Sequence, residues 1–268
     1  MKRPRALSKT AGTAPVLGER HDGRAPRQLR PVSFQRRFTR HAGGSVLVSF
    51  GNTRVLCTAM LERDLPPWLK AKGPGAGGGG GWLTAEYAML PSATPTRKKR
   101  DAAKPDGRSV EIQRLIGRAL RSCIDLSQLQ GPAGGLTLFV DCDVLQADGG
   151  TRTAAITGAW VAVADALAAA RQADLLPQTA KVLTNQVAAI SVGLVKGVPV
   201  VDLDYAEDVD AEVDMNVAML ADDTFVEVQG TGEHATFSSK QLNEMLALAS
   251  AAIRELHAAQ RAAGAGKP

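Results

Sequence analysis

Apolar positions along the chain repeat with two periods, and each period marks a kind of element. Val46-Leu47-Val48-Ser49-Phe50, then Gly51-Asn52, then Arg54 to Met60 predict a β-hairpin turning on a glycine–asparagine pair. A helical period predicts a helix over Ser109–Asp125, with Ile112, Leu115, Ile116, Ala119, Leu120, Cys123 and Ile124 on one face. Arg114, Arg118 and Arg121 line another face, where ion pairs or subunit contacts are their expected use. A strand over 136–146 gives way at Gly149-Gly150 to a helix of small residues from about Thr153 to Arg171. Val187–Val195 and Val198–Asp204 predict a second hairpin through Lys196-Gly197. In Glu212–Leu220, Val213, Met215, Val217 and Met219 alternate with Glu212, Asp214, Asn216 and Ala218, the pattern of a strand with one buried face. Thr224–Gln229 adds a strand, and a helix from Ser238 to about Ala262 closes the chain with the apolar stripe Leu242, Met245, Leu246, Ala249, Ile253 and Leu256. Strands in runs with interposed helices predict an α+β domain, not a doubly wound sheet.

Composition sets the limits of that domain. Residues 1–20 are small, polar and basic and read as a disordered tail, with order beginning near Arg30-Pro31-Val32. Residues 73–81 are almost pure glycine and read as a flexible loop; a single domain is expected over 21–258, with a flexible tail at 259–268. With 44% hydrophobic residues in 268, the chain can bury a proper core. No apolar run is read as long enough for a membrane span, and the basic N-terminus lacks an apolar signal core. Cys57, Cys123 and Cys142 lie inside apolar segments without metal or redox spacing. A reduced, cytoplasmic setting with no membrane partner is the expectation.

Charge is unevenly distributed. Residues 1–40 carry eleven Lys and Arg against two acids, so the rest is slightly acidic although the net charge is +5. A second basic run is Arg97-Lys98-Lys99-Arg100, followed by Lys104 and Arg108. Residues 202–214 hold seven carboxylates and no cation: Asp202, Asp204, Glu207, Asp208, Asp210, Glu212 and Asp214. Basic patches suit a polyanion, whereas concentrated carboxylates repel one unless a divalent cation intervenes.

Candidate chemistry begins at Gly149-Gly150-Thr151-Arg152. A strand ending in glycine just before a helix leaves backbone N–H groups and the positive end of the helix dipole facing outward, a setting for an oxyanion. Thr151 adds a hydroxyl and Arg152 a guanidinium fork. Paired glycines also occur at such turns for backbone geometry alone, and both readings stand at this point. Arg108 at a helix start and carboxylates at Asp208 and Asp214 extend the pattern. Together they describe a phosphoryl-transfer site, in which cations and amides neutralise phosphate and paired carboxylates hold Mg²⁺ or another divalent cation. Asp208 is expected in a loop and Asp214 on the polar face of a strand. The plainer alternative for Asp208 is that it caps a turn. Asp202, Asp204 and Asp210 read as solvated or structural charges.

Five strings resemble the ribonuclease PH family: Leu83 to Tyr87, Gly107 to Arg118, Gln146 to Thr153, Ala211 to Asn216 and Gln229 to Glu233. The likeness runs in unbroken order over roughly residues 20–258. It implies an α+β core with mixed sheets and βαβ elements packed against helices, shared with polynucleotide phosphorylase and exosome ring subunits. It also implies a phosphorolytic 3′→5′ exoribonuclease that trims precursor tRNA and other structured RNA 3′ ends. Inorganic phosphate is the co-substrate, nucleoside 5′-diphosphates are released, and the reaction is reversible as nucleotide addition. By the same resemblance Arg108, Gly150, Thr151 and Arg152 bind phosphate, and Asp208 and Asp214 bind metal and act as catalytic acids. Arg97, Lys98, Lys99 and Arg100 match the tRNA-contacting loop, and the assembly is a homohexameric ring, a trimer of dimers. The chain departs from the family at Ser92, where members often carry arginine, in the glycine insertion and in the long basic tail. Gly230, Thr231, Gly232 and Glu233 are expected to build a turn beside the site. The alternative functions are a non-catalytic RNA-binding ring subunit, which would lose the arginines or acids kept here, and a metal-dependent hydrolytic nuclease, which would leave the Gly-Thr-Arg turn unused.

Overall fold

Small side chains on one long helix decide how the layers stack. The computed structural model of the chain describes residues 20–71, 80–99 and 106–264. Residues 1–19 of the expected tail, Gly73–Gly79 of the glycine-rich loop, and Arg100 and Lys104 lie outside that range. In chain order the first elements are β1 (Val32–Arg36), β2 (Gly44–Phe50), β3 (Thr53–Glu62), α1 (Pro67–Lys70), β4 (Trp82–Met89) and α2 (Gly107–Arg121). Next come β5 (Gln130–Gly131), β6 (Gly134–Gly135), β7 (Thr137–Gln146), α3 (Thr151–Gln172), β8 (Val187–Val195) and β9 (Val198–Val201). The chain closes with α4 (Tyr205–Asp210), β10 (Val213–Leu220), β11 (Phe225–Gly232) and α5 (Ser239–Ala262).

The strands form a five-stranded sheet in the order β1-β2-β3-β7-β4 and a four-stranded sheet in the order β11-β10-β8-β9. Only β4 and β7 are parallel in the first sheet, and α2 lies between them in the chain, so β4-α2-β7 is the βαβ unit. The second sheet is antiparallel throughout. α3 packs on β2 and β3 of the first sheet and on β8 of the second, and α5 covers the outer side of β8 and β9. The α+β class and the two predicted hairpins are present, with β9 ending at Val201 and not at Asp204.

A helix between two sheets must be apolar on all sides, which is why α3 shows no polar stripe. Its length and composition meet the requirement for a membrane span, with 83% of that window buried inside the protein. This corrects the expectation that no apolar run is long enough: Arg152, Asp165 and Arg171 and the many alanines disguise the run. Its polar groups are paired within the core. Thr157 Oγ1 accepts from Ala189 N–H at 3.0 Å, and buried Gln260 donates to the carbonyls of Thr157 and Val187 at 3.0 Å each.

Three other boundaries differ from the sequence reading. The helix expected to reach Asp125 ends at Arg121, and Ser122 closes it as C-cap. α5 ends at Ala262 as its apolar stripe predicts, so the tail expected from residue 259 overlaps its last turn. Order starts before Arg30: Arg20, Arg24 and Arg30 are all buried, and Val201 N–H donates to the Pro26 carbonyl at 2.9 Å.

Gly44 marks the closest approach of β2 to α3, because a Cβ there would collide with the Ala162 carbonyl. Gly44→Ala should therefore cost at least about 1–3 kcal/mol of stability, the range for overpacking a core. Chemical denaturation should show a lower midpoint at unchanged slope; a midpoint equal to wild type would contradict this packing.

Candidate active site

The turn from β7 into α3 is built for an anion. Gly149 and Gly150 have φ of +73° and +64°, and a Cβ on Gly149 would sit 2.5 Å from the Leu203 carbonyl oxygen. Glycine is thus required there both by torsion and by space. Gly150 is the N-cap of α3, and no side chain caps the helix. The first amides of a 22-residue helix are left for a ligand, at the positive end of its dipole.

Neighbouring groups hold the turn in shape. Thr53 Oγ1 donates to the Gly149 carbonyl at 2.7 Å and accepts from Asp148 N–H at 3.0 Å. Arg30 donates through Nη1 to the Asp148 carbonyl at 2.5 Å. The same guanidinium grips Asp202, with Nη2 to Oδ1 at 2.6 Å and Nε to Oδ2 at 3.0 Å. The Tyr87 hydroxyl and Thr151 Oγ1 are 2.8 Å apart, which joins β4 to the first residue of α3. Burial pushes the Tyr87 phenol up, against the hydrogen bond to Thr151 and the nearby Arg108 and Arg152.

A cavity of about 810 Å³ opens at this turn. Its walls include Arg108 from α2, Gly150, Thr151 and Arg152 from the turn and α3, Asp208 from α4 and Asp214 from β10. Those are the six residues singled out in the sequence for phosphate and metal, drawn together from four elements. Lys98 also lines the cavity, while Lys98, Lys99 and Arg108 border a smaller cleft beside it. Arg97 is exposed and lines neither cavity. Arg152 Nη1 lies 3.4 Å from Glu111 Oε1 and 3.3 Å from Gln229 Oε1, so α2 and β11 hold its side chain over the turn.

The carboxylates opposite are electrostatically strained. Burial raises the Asp208 carboxyl above its usual range, with Arg108 and Arg152 pulling it back down. Asp214 is pushed up to about 6 by burial and by Asp208, with Arg152 opposing. Its Oδ1 is buried without a hydrogen-bond partner among the described residues. An orphaned carboxylate oxygen beside a second carboxylate fits a hard divalent cation, which prefers oxygen donors.

Comparisons with known proteins identify the family. Residues 28–168 match the 3′ exoribonuclease family, domain 1, and residues 185–252 match domain 2 of that family. The chain belongs to the 3′ exoribonuclease family. It is 54% identical over 246 residues to a ribonuclease PH of Corynebacterium efficiens, covering 91% of this chain and 96% of the relative. The ribonuclease PH of a Synechococcus strain is also 54% identical, with 97% of it covered. Among solved structures, an Archaeoglobus fulgidus exosome with RNA bound to the active site superposes with a TM-score of 0.73. It is 25% identical, and the match covers 90% of this chain and 92% of that one. An archaeal exosome core, 23% identical with a TM-score of 0.69 over 91% of each chain, shares the fold. Phosphorolytic 3′→5′ exoribonuclease chemistry is the activity of this family.

Within this exoribonuclease fold, two local expectations are corrected. Asp208 lies not in a loop but in the helix α4, whose N-cap is Asp204 with Glu207 completing a capping box. Gly230, Thr231 and Gly232 belong to β11 itself, not to a turn after it, and Glu233 follows and lines the cavity. Arg118 forms an ion pair with Glu227, and Arg121 stands over the Trp82 ring at 5.1 Å, as expected for arginines in structural roles.

Sequence reasoning missed the buried charge network behind the site. Arg20 binds the Glu207 carboxylate through Nε at 2.5 Å and Nη2, Arg24 reaches Glu207 at 3.3 Å, and Arg30 holds Asp202. The signal was present as opposite charge runs, cations at 20–30 and carboxylates at 202–207, that require each other once buried. His21, Asp204 and Glu207 also lie close enough to share a cation. Arg20 and Arg24 already neutralise that group.

Two measurements test this electrostatic arrangement. A carboxyl NMR titration should place Asp214 near pH 6 in the metal-free protein, and Asp208→Asn should move that midpoint down by removing the neighbouring charge. An unchanged midpoint would show that burial alone sets it. Asp202→Asn leaves the Arg30 guanidinium buried without its counter-charge and should cost about 3–5 kcal/mol in denaturant unfolding.

Proposed function

We propose that the chain is a phosphate-dependent 3′→5′ exoribonuclease acting on 3′-extended precursor tRNA and other structured RNA 3′ ends. The carrying observation is that two guanidiniums and an uncapped helix N-terminus share one cavity with two carboxylates. A hydrolytic nuclease needs the carboxylates and no anion cradle. An RNA-binding ring subunit needs neither.

In this reading Arg108, Arg152, Thr151 and the α3 amides seat inorganic phosphate next to the last phosphodiester of the RNA. Arginine forks suit a tetrahedral dianion, and holding the nucleophile in place turns a bimolecular step into a nearly unimolecular one. A phosphate oxygen forms a bond to the terminal phosphorus while the bond from that phosphorus to the preceding 3′ oxygen breaks. The nucleoside 5′-diphosphate leaves, the proton given up by phosphate returns to the new 3′ hydroxyl, and the reverse direction is nucleotide addition. Asp208 and Asp214 would hold Mg²⁺ or a similar cation, which supplies charge neutralisation at the reacting oxygens. Tyr87 orients Thr151, and Glu111 with Gln229 orients Arg152.

Lys98, at the cavity wall, and the exposed Arg97 and Lys99 fit contacts to the tRNA backbone. Such contacts should weaken steeply with salt. A homohexameric ring, a trimer of dimers, in the cytoplasm completes the proposal. The fold shared with exosome cores supports assembly, as do Phe225 and Val228, exposed on the edge strand β11.

Purified protein and a 3′-extended tRNA decide the reaction. Trimming should require phosphate and yield nucleoside diphosphates; monophosphate products, or inhibition by phosphate, would reject phosphorolysis in favour of hydrolysis. Arg152→Ala should lower the rate about 100-fold or more while RNA still binds, as removal of a single charge-stabilising donor does elsewhere. Asp214→Asn should stop turnover and, at neutral pH without metal, raise the thermal transition, because the buried charge is removed.

A further inference from the structure

The cavity wall contains an apolar patch that neither phosphate nor metal uses. Tyr205 and Val209, four residues apart on α4, line the cavity on either side of Asp208 in sequence and are 57% and 54% exposed. Four-residue spacing puts both on one helical face.

A six-residue helix does not persist unaided, yet α4 is fixed from behind. Its capping box ties Asp204 to Glu207, and Arg20 and Arg24 hold Glu207 in the interior. Tyr205 N–H donates to Asp148 Oδ1 at 3.4 Å, which joins the start of α4 to the anion-binding turn. The ring is therefore presented to solvent from a rigid base, in a cavity that also holds the charged groups of Arg108, Arg152, Asp208 and Asp214.

An exposed aromatic face on a rigid mount suits a flat, hydrophobic partner. RNA offers one at every nucleotide, and stacking tolerates any base because every base has a π-face. The reacting phosphodiester belongs to the last nucleotide, and Asp208 sits one helical turn from the ring. The ring thus lies in the cavity where the end of the RNA would react.

We propose that Tyr205, flanked by Val209, is the platform on which the base of the 3′-terminal nucleotide stacks, so that the site grips an RNA end of any sequence. This rests on the RNA 3′ end being the substrate and adds a subsite to it.

The test is RNA binding without phosphate, which reads the platform whether or not phosphorolysis occurs. Wild-type protein should bind a short single-stranded RNA about ten-fold more tightly than the same RNA ending in an abasic nucleotide, whichever base is at the end. Tyr205→Ala should bind both weakly and alike, and Tyr205→Phe should restore the preference. With phosphate present, Tyr205→Ala should raise the KM for RNA and leave the KM for phosphate unchanged. The proposal is overturned if Tyr205→Ala keeps the preference, if Tyr205→Phe is as weak as alanine, or if Tyr205→Ala alters the assembly size in light scattering. The last result would make Tyr205 a subunit contact. A base preference lost with Tyr205, in a protein that does not trim with phosphate, would uphold the platform and reject phosphorolysis alone.

Discussion

Arg30 reaches from the N-terminal segment to the residue just after β9, where Nε and Nη2 meet the two oxygens of Asp202 while Nη1 donates to the Asp148 carbonyl. Both side chains are almost fully buried, and Asp202 holds a φ of +56°, a conformation uncommon for residues other than glycine. A buried pair of this kind adds little net stability over an apolar replacement, since desolvation offsets most of the attraction. Its consequence is geometric. The pair fastens three segments distant in sequence: the strap before β1, the β7–α3 turn and the loop leading to α4. Together with the Tyr205 N–H to Asp148 Oδ1 bond, it sets the anion cradle and the carboxylate helix at a fixed separation.

α3 supplies the other half of that geometry. It runs between the two sheets and begins at the seam where they meet, so its positive end emerges beside residues drawn from both. The first sheet and α2 contribute Tyr87 and Arg108, and the second sheet with its preceding helix contributes Asp214 and Asp208. Cations and carboxylates that would repel the same ligand are thereby placed on opposite walls of one cavity. An anion alone meets repulsion from Asp208 and Asp214, and a cation alone meets it from Arg108 and Arg152. The pair of ligands together satisfies both walls, which is the electrostatic signature of phosphoryl transfer.

Elements with strong local signals were legible in the sequence. The β2–β3 hairpin, α2, the β7–turn–α3 junction, the β8–β9 hairpin and α5 each follow from periodicity, turn residues or capping, which act within a few residues. β1 and β4 were not read as strands. Val32–Arg36 is short and half polar, and Trp82–Met89 takes its identity from parallel pairing with β7, a contact across the whole of α2 and of β5 and β6. α4 escaped because its six residues offer only the single apolar pair Tyr205 and Val209, too little for a helical period, and are helical through the Asp204–Glu207 capping box and the buried arginines. The six phosphate and metal candidates were legible as residue types, yet their meeting in one cavity depends on long-range pairing. Arg20, Arg24 and Arg30 were hidden for the opposite reason: surrounded by a basic tail, they resembled solvated charge, and only burial against Asp202 and Glu207 distinguishes them.

The state of Asp214 connects this architecture to stability. Its carboxyl is raised to about 6 from an unfolded value of 3.8, so the folded chain favours the protonated form. For an acid shifted in this direction the sign is unfavourable at neutral pH. Ionised Asp214 costs the fold free energy above pH 6, and the cost is relieved progressively as pH falls from about 6 toward 4. A core position chosen for stability would hold a neutral group or give Oδ1 a donor. That oxygen, buried and unpaired among the described residues, fits the proposed cation, which would offset the repulsion from Asp208 and the orphaned acceptor together. The strain is local, confined to the wall that faces Arg108 and Arg152. On the opposite face of the same strand Val213, Met215 and Val217 are buried in the apolar core. One strand thus serves two needs by alternation, with packing on one side and charge held ready for its counter-ion on the other.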